Sequence, residues 1–140
     1  MRFLCLLVLA FTLSSCDESL SIHLTFPDGF RGLARLRSNQ PDGLTLDTSK
    51  RTRDLRFSSD GVCDIRGDLP TLKWHQVTAR YSNGKPIPVI SSAANATPET
   101  FGVWSAGLAA NNTEDWFVVG THKDLEAATE KKDGFKWPPK

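Results

Sequence analysis

The sequence predicts a mainly β protein, an antiparallel β-sandwich or small barrel with one short C-terminal helix. Three observations carry that prediction. Short segments alternate apolar and polar residues with a period of two, as a half-buried strand does. Turn-forming runs such as Pro27-Asp28-Gly29, Asp60-Gly61 and Asn83-Gly84 punctuate them. Only His122 to Lys132 has a helical pattern.

The chain opens with Met1-Arg2, a short positive end, followed by the apolar run Phe3 to Leu13, which Ser14 and Ser15 terminate. That is the layout of a signal peptide. The run is shorter than the roughly 20 apolar residues a membrane-spanning helix needs. Leu13-Ser14-Ser15-Cys16 resembles the lipobox of bacterial lipoproteins, an aliphatic residue, two small residues and a cysteine. The resemblance implies removal of residues 1–15 and lipid, typically diacylglyceryl with a further acyl group such as palmitate, on Cys16. An ordinary secretory signal with Ser14 and Cys16 at the minus three and minus one positions of its cut is the alternative. Two or three acyl chains hold a protein firmly at a bilayer, because each buried methylene contributes about 0.8 kcal/mol.

The whole chain carries 17 basic and 16 acidic residues, and Arg2 lies in the segment expected to be removed. The remainder is formally neutral, without the concentrated basic surface that phosphate neutralisation demands, so no nucleic acid is expected as partner. Of the three cysteines, Cys5 falls in the leader and Cys16 is assigned to lipid, which leaves Cys63. With no internal disulfide, stability must come from packing. In Gly61-Val62-Cys63-Asp64-Ile65 the thiol reads as a small buried apolar group on a strand, with an intermolecular disulfide or reactive thiol as the alternative. The expected organisation is signal peptide 1–15, lipidated N-terminus and tether 16–19, one β-rich domain 20–132 and a tail 133–140.

Within that domain the first strand is the clearest, since Leu20, Ile22, Leu24 and Phe26 alternate with Ser21, His23 and Thr25. Pro27-Asp28-Gly29 turns the chain, and residues 30–37 are expected to return as the second arm of a hairpin. Residues 38–53 read as loop, with Leu44 and Leu46 as a short extended piece. Asp54 to Phe57 and Val62 to Ile65 flank Asp60-Gly61, which predicts a second hairpin. Leu72 to Tyr81 is an extended stretch ending at Asn83-Gly84. Pro86-Ile87-Pro88-Val89-Ile90 then belongs on an edge, because proline donates no ladder hydrogen bond. Residues 91–100 read as loop, and Phe101 to Ser105 and Trp116 to Gly120 as two strands joined across Asn111-Asn112. Thr121 is placed to cap the helix and Asp124 to favour its dipole.

The runs Phe26-Pro27-Asp28-Gly29-Phe30-Arg31-Gly32, Asp60-Gly61-Val62 and Trp116-Phe117-Val118-Val119-Gly120-Thr121 resemble a family of uncharacterised bacterial lipoproteins. That family has a proline-aspartate-glycine turn near its start and a phenylalanine-valine-glycine-threonine strand near its end. The layout is also similar to transthyretin-like lipoprotein domains, so a transthyretin-like or immunoglobulin-like sandwich is the expected form. Neither resemblance implies an activity.

No catalytic, metal or cofactor residue is assigned. His23, His75 and His122 are far apart in sequence, and no HExxH, phosphate loop or nucleophile elbow is present. Asp17-Glu18 and Glu114-Asp115 are adjacent pairs, and strand neighbours point to opposite faces. Trp74, Trp104 and Trp116 fall in predicted strands and read as core, with a ligand platform as the alternative. Phe135, Lys136 and Trp137 sit in a tail rich in lysine and proline, which either packs or frays, or else contacts a membrane or partner. Only Asp17-Glu18-Ser19 separates Cys16 from the first strand, a reach of roughly 10 Å, which favours a partner near the same membrane. Asp17 matches the residue that retains lipoproteins in the inner membrane of enteric bacteria. The function these features point to is a non-catalytic envelope module that binds a protein, the alternative being a small molecule or glycan held in a groove lined by Trp104 or Trp137.

Overall fold

The computed structural model describes residues 19–130, so the lipobox with Cys16 and the tail with Phe135, Lys136 and Trp137 lie outside the described residues. Nine strands follow one another: β1 (Leu20–Phe26), β2 (Gly32–Arg37), β3 (Thr52–Arg56), β4 (Val62–Asp64), β5 (His75–Tyr81), β6 (Pro86–Ile87), β7 (Val89–Ile90), β8 (Phe101–Ala109) and β9 (Glu114–Thr121). A single 3-10 turn, Pro70–Leu72, precedes β5, and α1 (His122–Glu130) closes the described chain. One sheet has the order β3-β1-β5-β6 and the other β4-β2-β9-β8-β7. They face each other as a sandwich across one apolar core, as the alternation of residues along the strands predicts.

Both sheets are mixed. The two hairpins expected at Pro27-Asp28-Gly29 and Asp60-Gly61 do not form as such. Both turns are present, with Phe30 N–H donating to Pro27 O at 3.0 Å and Gly61 N–H to Ser58 O at 2.9 Å, but the arms enter opposite sheets. Each is an arch over the core, and the side chains show why. Phe26 stacks on Phe30 at 5.6 Å and on Phe57 at 4.7 Å, while Phe57 meets Phe117 of the facing sheet edge-on at 6.4 Å. An antiparallel hairpin would lay both arms in one sheet and break this aromatic bridge between layers. The two arches stack in register. β1 therefore pairs in parallel with β3, from Ser21 opposite Thr52 to Thr25 opposite Arg56, and β2 pairs in parallel with β4.

β1 occupies the middle of its sheet, flanked by β3 and β5, and its Ile22, Leu24 and Phe26 are fully buried. The Asn83-Gly84 turn joins β5 and β6 antiparallel, with Gly84 at φ +91°. Beyond Pro88 the chain passes straight into β7 on the other sheet, so the proline-rich segment forms an edge of both layers, as its missing donors require. β8 and β9 form the long antiparallel pair, interrupted by a bulge between Ser105 and Gly107. Against the outer face of this pair lies α1, whose start is a capping box. Thr121 N–H donates to Asp124 Oδ2 at 2.8 Å and Asp124 N–H donates to Thr121 Oγ1 at 3.3 Å. Beneath it Trp104 is buried, its Nε1–H donating to Gly120 O at 3.0 Å. Cys63 is buried on β4, and burial, reinforced by the Asp64 charge, pushes its thiol up to about 11.

Candidate functional site

β7 pairs with β8 only at Val103 and Trp104, which leaves Ser105–Ala109 with no strand on that side. β6 likewise pairs with β5 only at Ala79 and Arg80, which leaves His75–Thr78 open. These two free stretches lie on the same side of the sandwich, in line with the β6–β7 segment that would otherwise cover them. Between them runs a cleft of about 620 Å³. Val77, Val89, Val103, Leu108 and Phe117 give it an apolar lining, and Thr71, His75, Ser105 and Asp115 supply polar groups.

The bulge determines which β8 side chains reach the cleft. Ser105 opposes Phe117, and Gly107 at φ +91° absorbs the irregularity, so that Leu108 rather than Gly107 stands opposite Asp115. Leu108 and Asp115 both line the cleft, as do Ser105 and Phe117. Glu114 and Asp115 do point to opposite faces, and their environments diverge. Glu114 lies outside the cleft, where Arg35 grips it with two hydrogen bonds of 3.0 and 2.7 Å and Trp116 donates Nε1–H at 2.7 Å. Burial pushes the Glu114 carboxyl up, but the contacts from Arg35 and Trp116 and the nearby Arg37 charge together hold it below its ordinary value.

Asp115 has no such ion pair among the described residues. It is 7% exposed, and burial raises its carboxyl above the ordinary value against the opposing influences of the Thr71 hydroxyl, the His75 ring and the Trp116 backbone. Thr71 Oγ1 is the buried side-chain polar atom among the described residues that closes no hydrogen bond. The same hydroxyl is the first of the groups that oppose the rise of the Asp115 carboxyl. The His75 ring is held in place through Nδ1, 2.6 Å from Lys73 O. A buried carboxyl, an unsatisfied hydroxyl and an imidazole on an apolar floor form a small set of convergent polar groups of the kind that fixes a ligand's orientation.

The other sequence-predicted residues lie elsewhere. His23 is 3.2 Å from Asp54 on the outer face of the first sheet, and His122 is 3.8 Å from Glu126 on the helix. Among the described residues, no group of three or more His, Cys, Asp or Glu side chains is placed to hold a metal ion. Trp104 is buried and packs against His122 at the start of the helix, with ring centroids 5.1 Å apart. Trp74 corrects the expectation of core packing, being 80% exposed in the segment between the 3-10 turn and β5. The large exposed apolar side chains among the described residues are Leu44, Leu72, Trp74, Val89 and Leu108. Val89 and Leu108 line the cleft, and Leu72 and Trp74 stand in the segment Thr71–His75 whose two ends line it. Sequence reasoning assigned no role to Thr71, Ser105, Leu108 or Asp115 in a site. The one signal was Glu114-Asp115 within a strand, which places one acidic side chain inward wherever the strand is covered.

No protein-family model matches the chain, and no curated protein is similar to it. Among solved structures the chain is similar to a "Putative Lipoprotein from Bacillus anthracis", with 16% identity and a TM-score of 0.44, over 85% of this chain and 80% of that one. At that distance the likeness adds nothing to the reading of the site. No helix of the described residues is long and apolar enough to cross a membrane.

Proposed function

We propose that the protein is a cell-envelope lipoprotein, held to a membrane by lipid on Cys16, whose β-sandwich is a non-catalytic module that binds a partner protein at the cleft between β5 and β8. The lipobox residues support the anchor, and Asp17 favours the inner membrane where the enteric sorting rule operates. One observation carries the binding role. Four of the five large exposed apolar side chains, Leu72, Trp74, Val89 and Leu108, belong to the segments that border this one cleft. Exposed apolar groups cost free energy singly and mark an interaction surface when they gather around a concavity.

Photoreactive residues placed at Leu72 or Trp74 of the full chain in its native host test this reading. They should crosslink one envelope protein, whereas the same residue at exposed Thr52, on the far edge of the first sheet, should not. Equal yields from all three positions, or none, would refute the cleft as the binding surface. Replacing Cys16 by serine should release the chain from the membrane fraction and abolish labelling by palmitate; unchanged fractionation would remove the anchor from the account.

A further inference from the structure

Building on that reading of the cleft, we propose that its occupant is an extended segment of the partner protein, which adds as a strand along Ser105–Ala109 of β8 and directs a lysine or arginine side chain at Asp115. The backbone geometry sets the mode. β8 runs for nine residues, and its partner on the open side, β7, covers two of them. The main-chain donors and acceptors beyond Trp104 on that side therefore face the cleft without a ladder. A free strand edge is a template for another strand, and natural proteins ordinarily blunt it with charge, proline or a covering loop. Here the paired cover stops at Ile90. The side chains beside the open stretch are Ser105, Leu108 and Val89, none of them charged.

Chemistry on the cleft floor selects the side chain. Asp115 stands opposite Leu108 on β9, one strand in from the open edge, so an inward-facing residue of an added strand would project toward it over β8. Asp115 is 7% exposed and has no ion pair among the described residues, and the Thr71 hydroxyl beside it closes no hydrogen bond. An ammonium or guanidinium supplies donors to the carboxylate and to the hydroxyl oxygen together. Among the described residues His75 is the one basic side chain lining the cleft. Its Nδ1 is engaged with Lys73 O. An apolar floor of Val77, Val103 and Phe117 keeps water from competing and takes the alternate inward side chains of the segment.

The test uses the full chain in detergent micelles against a displayed library of random heptapeptides, followed by synthetic representatives. The expected result is enrichment of β-forming segments with one lysine or arginine at a fixed position. Replacing that residue by norleucine should weaken binding at least about tenfold, the size expected for a hydrogen bond to a charged group. Methylating alternate peptide nitrogens on the edge that faces β8 should abolish binding, and bound peptide should slow amide hydrogen exchange at Ser105–Ala109. In Asp115→Asn the lysine and norleucine peptides should bind alike. If that variant fails to fold, the norleucine and N-methyl comparisons on the native protein decide the matter. No enrichment, equal binding of lysine and norleucine peptides, tolerance of N-methylation or protection elsewhere would each overturn the proposal. Crosslinking from Trp74 that persists under any of these results would leave the cleft as a protein-binding surface with a different occupant; loss of that crosslinking would remove the parent reading as well.

Discussion

Replacing Trp74 by alanine separates binding from folding. The side chain is 80% exposed in the isolated chain, so its removal takes almost nothing from the core. An indole side chain offers roughly 150–250 Å² of contact area. With four-fifths of that still uncovered, a partner that buries it removes roughly 120–200 Å² of largely apolar surface from water, worth about 3–5 kcal/mol at about 25 cal/mol per Å². Fixing the side chain on binding costs about 1 kcal/mol, which leaves about 2–4 kcal/mol. At about 1.4 kcal/mol per tenfold, Trp74→Ala should weaken partner binding by a factor of about 30 to several hundred. Its unfolding free energy from urea denaturation should stay within about 0.5 kcal/mol of the native protein's, as for a surface change that breaks no core contact. The assay is a paired titration and denaturation on the same preparations, with the crosslinked partner as ligand. An unchanged dissociation constant, or a fall in stability comparable to the loss in binding, would refute the assignment of Trp74 to the interface.

The core supplies the complementary case: Leu24, fully buried in the middle strand of its sheet, should cost about 2–5 kcal/mol as alanine, read from chemical denaturation. A loss below about 1 kcal/mol would show that the layers do not pack around β1. The adjacent acids should titrate with opposite signs. Glu114 is held below its ordinary 4.5, so its stabilisation is complete above that pH and disappears as pH falls through the lower folded value. Asp115 is raised above 3.8, so its protonated form favours the fold below that pH, and the benefit is lost as pH rises through the higher folded value. Urea melts from pH 3 to 7 should therefore show Glu114→Gln losing stability relative to the native protein toward pH 7, and Asp115→Asn gaining it; parallel profiles would contradict both environments. At pH 8 the Cys63 thiol, pushed up to about 11 and buried, should react with a thiol reagent at the rate of unfolding and become fast in denaturant. Rapid labelling of the folded chain would place it at the surface.

Local structure was legible where one strand face or one turn decides it. The alternation of Ile22, Leu24 and Phe26 with polar residues describes β1 as it stands, and Asn83-Gly84 and the Thr121 cap form where the residue types predict them. Partner choice was not legible at Pro27-Asp28-Gly29 or Asp60-Gly61. A turn sequence fixes a few backbone angles, and the aromatic bridge from Phe30 through Phe26 and Phe57 to Phe117 decides that the arms part. Trp74 was misplaced because a continuous extended pattern hides where a strand begins, and here the Pro70–Leu72 turn delays the start to His75. The cleft stayed hidden for a further reason. Thr71, Ser105 and Asp115 come together only through the stacking of two sheets and a bulge at Gly107, which no local window of sequence contains.

The central position of β1 bears on how the chain carries mechanical force. A pull transmitted from residues before Leu20 acts along the strand axis, and the ladders to β3, over Ser21 to Thr25, and to β5, over Leu20 to Phe26, run beside it. Such a load shears both rows of hydrogen bonds at once, where the same pull on an edge strand could peel them apart singly. A body fastened at that point to a moving surface would resist extraction through two ladders loaded together.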